Sequence, residues 1–299
     1  MSQALKIGNR MVGPGQPCYV VAEIGINHNG NLDTAKRLID AAVLAGCDAV
    51  KFQKRTVEIV FTPEELSAPR PSPFGRTNGD LKRALELGYD EYAEIDRHCR
   101  RLNIPWFASC WDEPSVDFIE EFDPPCFKIA SACLTDDDLL RHTRATARPI
   151  LLSTGMSSPD QIDHAVNIAG DEALVLLHCT SAYPANVEEL NLRVIPWLAH
   201  RYEVPVGYSG HEVGLASTLA AVALGACLVE RHITLDRAMW GTDQAASVEG
   251  QGFARLVRDI RAVSQAMGDG VKRVYESESV AREKLRKANR SAPAASRLA

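Results

Sequence analysis

Two lysines, two histidines and a glutamate frame the chemistry open to this chain. Lys51 lies in AVKFQ and Lys128 in CFKIA, each near the end of a short apolar run. Two ammonium groups brought together suit a small anion carrying phosphate and carboxylate. Gln53, Ser131, Ser153 and Ser209 would add hydrogen-bond donors to such a pocket. Lysine also permits a Schiff-base aldolase, in which an ammonium of depressed pKa attacks a carbonyl. His211 and His232 follow the last two apolar runs, in GYSGH and LVERHI. On neighbouring strands, ~4.8 Å apart, two imidazoles can share one metal and leave positions open for water and substrate. His178 follows the preceding run and would add a third ligand or a hydrogen bond. Glu23, in VVAEIG, is placed to hold a metal-bound water or to move a proton. Any one of these residues alone is ordinary, since a single Lys or Glu is usually solvated and a single His usually sits satisfied in a core. Their recurrence along the chain points to one site.

The elements that must position them alternate strictly. Apolar runs at 19–24, 49–53, 105–109, 126–130, 149–153, 174–178, 206–209 and 228–233 read as strands. Helical patterns at 32–45, 90–103, 114–122, 136–146, 159–169, 187–202, 213–224 and 252–267 lie between or after them. Such alternation predicts an α/β fold with parallel strands, and eight units is the count of a TIM (β/α)8 barrel. A doubly wound sheet would offer G-x-G-x-x-G after its first strand, and GINHNG is not that. The period of two puts Lys51 and Gln53 on one face, sets Lys128 opposite Phe127 and Ile129, and places Glu230 and His232 together. The expected organisation is a single barrel domain over 1–275 and a charged to Ala/Ser-rich tail over 276–299, helical at first and then disordered. The Pro-rich, charged stretch 55–88 breaks the rhythm and reads as a substrate loop or lid.

Composition narrows the class. A formal charge of -6 with 45% apolar residues is that of a soluble globular chain and not of one that coats nucleic acid. No apolar run is long enough to span a membrane, and the first residues lack the apolar core of a secretory signal. Eight cysteines without C-x-x-C spacing favour reduced thiols and a cytoplasmic location.

AEIGINHNG at 22–30, VKFQ at 50–53, FKIAS at 127–131, LLSTGM at 151–156, LLHCTSAYP at 176–184, GYSGH at 207–211 and ERHIT at 230–234 resemble the sialic acid synthase (N-acetylneuraminate synthase) family. The resemblance runs in order over residues 19–267, with a motif on nearly every strand. It implies a transferase that condenses phosphoenolpyruvate with N-acetylmannosamine or a related aldose, releasing phosphate and a nine-carbon 2-keto-3-deoxy acid. By resemblance, Lys51, Gln53, Lys128, Ser131, Ser153 and Ser209 bind phosphoenolpyruvate, and His211 and His232 hold Mn2+ or Mg2+. Glu23, Tyr183, Asp243 and Gln244 face the sugar, and the chain is expected to form a homodimer. Three departures stand out. The chain reads as a short form without the C-terminal antifreeze-like domain, whose arginine reaches the partner's site. Arg76, Arg83, Arg286 and Arg290 are then the candidates for the sugar end. Cys110 and Trp111 replace a small Thr-Pro, with Cys110 either donating weakly or packing. MWGTDQAAS at 239–247 replaces a Pro-Gly-Pro-Asp loop, bringing Trp240 and Gln244 to the sugar pocket. Two other readings remain: an aldolase or lyase working through Lys128, and a non-catalytic barrel that binds sugar or phosphoenolpyruvate.

Overall fold

A computed structural model describes residues 3–286. Eight parallel strands are buried on both faces, which is why they read as near-continuous apolar runs. They are β1 (Tyr19–Gly25), β2 (Ala49–Lys54), β3 (Trp106–Cys110), β4 (Phe127–Ile129), β5 (Ile150–Ser153), β6 (Leu174–Cys179), β7 (Val206–Gly210) and β8 (Leu228–Thr234). Each pairs with its neighbour in sequence, and β8 pairs with both β7 and β1, so the sheet closes. The crossover helices are α1 (Leu32–Ala45), α2 (Tyr89–Leu102), α3 (Glu113–Glu120), α4 (Asp137–Ala145), α5 (Pro159–Ala169), α6 (Val194–Tyr202), α7 (Ala216–Ala223) and α8 (Gly250–Ala266). The expected TIM barrel is the observed fold.

The pleat sorts the side chains. Outward residues such as Ile24, Phe52, Ile129, Leu176 and Tyr208 pack beneath the helices. Inward residues toward the strand starts, among them Tyr19, Val21, Phe107, Leu151 and Val175, form a second apolar cluster. An unforeseen antiparallel hairpin, Leu5–Ile7 with Arg10–Val12, adds Ile7 and Val12 to that cluster and floors the barrel. Each such buried aliphatic or aromatic side chain contributes ~1.5–3 kcal/mol. That apolar floor offsets a costly polar layer at the opposite end, where Glu23, Lys51, Lys128, Ser153, Ser209 and Glu230 are all buried.

Two helices start later than their patterns suggested. Asn191 at φ 41° breaks the run before α6, leaving only a short turn at Val187–Glu189. Gly214 at φ 92° keeps 213–215 in the loop before α7. The stretch 55–88 is ordered. It folds as short helices Val57–Val60 and Pro63–Ser67, a hairpin of Pro69–Ser72 with Gly75–Thr77, and a helix Asn78–Leu85. Reciprocal caps explain two of these starts: Thr62 with Glu65, and Thr77 with Asp80. Among the described residues the unit holding the barrel runs to Gln265, and those from Ala266 on form a second unit. The tail begins helical over Ser279–Leu285, as expected. Residues 287–299, with Arg290, lie outside the described residues.

Candidate active site

Strand register assembles the polar layer. Glu23 is paired with Lys51 on β2 and with His232 on β8. Ser109 on β3 is paired with Gln53 and Lys128, and Ser209 on β7 with Glu230 and Cys179. Lys51 Nζ donates to Ser109 Oγ (2.8 Å) and forms ion pairs with Glu23 (3.1 Å) and Glu230 (3.2 Å). Glu23 also accepts from Gln53 (2.9 Å), and Glu230 accepts from Ser209 (2.9 Å).

The environments drive these groups apart. Burial pushes the Glu23 carboxyl upward and outweighs the pull of Lys51, helped by the nearby Glu230 charge. Burial acts on Glu230 in the same sense, but Lys128 and Lys51 overcome it and hold the carboxyl low. Burial opposes the Lys51 charge, and its two carboxylates outweigh that, so this ammonium is pinned. Lys128 goes the other way: burial depresses it, and among the described residues its one hydrogen bond is to the Ile129 carbonyl (3.3 Å). Two carboxyls of opposite tendency are the usual mark of divided acid–base duties.

The two imidazoles face each other with centroids 5.5 Å apart. Tyr183 packs against both, at 4.1 Å from His211 and 5.8 Å from His232. His211 Nδ1 donates to the Thr180 carbonyl (2.9 Å), so in the neutral ring Nε2 is the lone-pair nitrogen; burial opposes the charged ring, but Cys179 and that carbonyl outweigh it and raise the pKa. Burial holds the His232 imidazole well below its ordinary pKa, so it is neutral. Its Nδ1 is buried without a hydrogen-bond partner, 3.9 Å from Asp243 Oδ2.

Glu23, Lys51, Gln53, Lys128, Ser131 and Ser153 line one cavity, and Tyr183, Ser209, His211 and His232 complete it. Its volume is about 190 Å³. Sites for drug-sized ligands run ~300–1,000 Å³, so this one suits small metabolites. Asp243 borders it through His232. Other expected residues are not brought in. His178 faces the helices and donates to the Leu190 carbonyl (2.6 Å), so it takes the hydrogen-bonding option and not that of a third ligand. Gln244 is buried beside the site, accepting from Thr234 (2.5 Å) and donating to the Asn27 carbonyl (3.1 Å). Both ends of its amide are committed, one to the end of β8 and the other to the loop after β1. Cys110 packs outward in the core, while Trp111 lines the cavity. Arg83 is paired with Glu58, Arg76 is exposed on the hairpin, and Arg286 falls in the separate terminal unit. Ser109, Cys179, Ser181 and Glu230 line the cavity without having been assigned a role. Strand parity already placed Glu230 beside His232 and could have found Ser109 the same way.

An interior apolar at its floor and charged at its mouth is the layout of a barrel enzyme that works on small polar molecules. A family model for the NeuB family matches residues 38–272, and the chain belongs to this family of sialic acid-type synthases. It is 42% identical to human N-acetylneuraminate-9-phosphate synthase, over 93% of this chain and 79% of that protein. It is 37% identical to N,N'-diacetyllegionaminic acid synthase of Campylobacter jejuni, over 87% of this chain and 80% of the relative. Among solved structures, the N-acetylneuraminic acid synthetase of Leptospira borgpetersenii superposes with a TM-score of 0.85 at 32% identity, covering 96% of this chain and 99% of that one.

Proposed function

We propose that this chain condenses phosphoenolpyruvate with an aldose of the N-acetylmannosamine type, giving a 2-keto-3-deoxy sugar acid and phosphate. The observation that carries this reading is Lys128. It is a buried ammonium with one backbone partner, opening into the same small cavity as Lys51, Ser131, Ser153 and Ser209. A multiply charged anion supplies the partners that this lysine lacks.

In the reaction, the alkene carbon of phosphoenolpyruvate bonds to the aldehyde carbon of the open-chain sugar. Water then adds to the resulting cationic carbon. The carbon–oxygen bond to phosphorus breaks, phosphate leaves and the 2-keto group forms. Lys51, Lys128 and the serine hydroxyls hold the carboxylate and phosphate throughout. Glu23, its carboxyl pushed up by burial, accepts the proton that water gives up. Glu230 remains ionised and keeps Lys51 charged and in place.

The imidazole pair fits a divalent cation such as Mn2+ or Mg2+. His232 is neutral with an unpartnered nitrogen, and His211 offers its Nε2 lone pair once a cation displaces the proton that its raised pKa favours. Among the described residues no three His, Cys, Asp or Glu side chains converge on one metal position, so water or substrate oxygens would complete the ligand set. Bound there, the ion would act as a Lewis acid on the sugar carbonyl.

A panel of aldoses assayed for phosphate release with manganese present tests the reading. Lys128→Ala and His232→Ala should each abolish release, and wild-type rates in either variant would overturn it. The depressed pKa of Lys128 also favours a second reading, a Schiff-base aldolase. Borohydride trapping of a keto acid on Lys128 would establish that one, whereas loss of activity in EDTA would speak for the synthase.

A further inference from the structure

A second cavity, of about 280 Å³, lies between the loop after β7, the loop after β8 and the first turns of α8. It shares no lining residue with the catalytic cavity. Three arginines line it: Arg231, Arg237 and Arg255. Parity along β8 turns Arg231 outward, away from the inward Glu230 and His232 on either side of it. Arg231 is 1% exposed. Its Nη atoms donate to the Glu212 carboxylate (2.9 Å), to Thr218 (2.6 Å) and to the carbonyls of Glu212 (2.5 Å) and Gly214 (3.0 Å). Its Nε is buried with no hydrogen-bond partner. Arg237 and Arg255 have no carboxylate within ion-pair distance among the described residues. Arg237 Nε donates to the Ala245 carbonyl (2.9 Å), and Arg255 makes no hydrogen bond among the described residues.

The rest of the lining favours negative charge as well. α8 is 17 residues long and has no acidic residue in its first turn, and Gln251 and Gly252 bring that turn to the cavity wall. The start of such a helix offers free backbone N–H groups and the positive end of its dipole. Glu249 is the one carboxylate in the lining, and it accepts from the Arg237 backbone N–H (3.2 Å). One carboxylate therefore stands against two guanidiniums that face none, and against the orphaned Nε of a third. In (β/α)8 barrels the loops after the last two strands, together with a helix start, commonly hold phosphate. Here the catalytic lysines lie on β2 and β4, and that corner of the barrel is left to a separate cavity.

We propose that Arg231, Arg237 and Arg255, with the start of α8, form a binding site for a phosphate dianion outside the catalytic cavity. A tetrahedral oxyanion supplies the acceptor that Arg231 Nε lacks and the negative charge that Arg237 and Arg255 lack, and the planar guanidinium binds such an anion through two parallel hydrogen bonds. The site backs directly onto the catalytic wall. Arg231 stands between Glu230 and His232 in sequence, and its partner Glu212 follows His211. The site stands independently of the synthase reading, which places phosphate binding on the other face of the strands.

The test counts bound inorganic phosphate by calorimetry at constant ionic strength. The chains compared are wild type, Lys128→Met, Arg237→Met with Arg255→Met, and the combination of all three. The double arginine substitution should remove one bound phosphate from wild type and one from Lys128→Met alike. Arg255→Met alone, at a side chain without a partner, should weaken that phosphate at least tenfold. Arg237 and Arg255 are exposed, so the double variant should keep the wild-type unfolding midpoint in phosphate-free buffer. Glycerol 3-phosphate separates the sources of the anion: displacement of phosphate from this site at equal concentration assigns it to a phosphate ester, and failure to displace assigns it to free phosphate. An unchanged count of bound phosphate after the arginine substitutions overturns the site. So does a Lys128→Met chain that binds no phosphate.

Discussion

An ammonium has three donors, and in Lys51 they face Ser109, Glu23 and Glu230. Lys128 spends one donor on a carbonyl and keeps the others. The two lysines should therefore fail differently when removed. Lys51→Met strands two buried carboxylates and should lower stability by about 3–5 kcal/mol in urea unfolding. Lys128→Met should abolish activity at a smaller stability cost, because it breaks no ion-pair contact and removes only the longer-range support that Lys128 gives to the ionised Glu230. Equal destabilisation by the two would contradict this division. His28 offers a second test. Burial, and then the Arg55 charge, hold its imidazole down to about 4, from an ordinary 6.5. Between those values the unfolded chain binds the extra proton. The stabilisation is thus complete above about pH 6.5 and is lost as pH falls toward 4, by up to ~1.4 kcal/mol per pH unit. His28→Asn should flatten the pH dependence of unfolding by about one proton, and an unchanged slope would refute the assignment. Strand parity made Glu23, Lys51, Lys128 and His232 legible in the sequence. The same parity turns His178 outward, because Leu177 takes the inward position. Gln244 lies in a loop, where no period exists to say which way a side chain turns.

At the scale of elements, apolar runs bounded by turn residues marked all eight strands. The misplaced helix starts trace to backbone conformations, at Asn191 and Gly214, that hydrophobic pattern does not encode. The hairpin at 69–77 was hidden because its Pro-rich sequence reads as loop, and antiparallel pairing of so short an excursion leaves no alternation to detect. Gly30 is the joint between this excursion and the barrel. Its φ of 69° and the 1.9 Å approach to the Ala84 carbonyl forbid a side chain there. Gly30→Ala should cost ~1–3 kcal/mol in strain and push the Asn78–Leu85 helix away from the mouth. The KM for the sugar should then rise while that for phosphoenolpyruvate changes little. A parallel rise in both would show that the excursion does not serve the acceptor alone.

For the whole molecule, closure of eight βα units followed from their count. The floor did not, because Leu5–Ile7 and Arg10–Val12 are too short to show a period. That floor has a consequence for traffic. With Ile7 and Val12 sealing the strand starts, the described residues leave ligands the way in at the mouth. Lys51, Lys128, Ser109, Ser153 and Ser209 sit at 2–3% exposure along the passage and Tyr183 at 50% beside the entrance. The molecule that meets the lysines must pass before the one that meets Tyr183, and the second then blocks the first from leaving. Catalysis on such a scaffold is a queue. An unreactive sugar analogue should inhibit uncompetitively against phosphoenolpyruvate, and competitive inhibition would mean that the passage has a second way in.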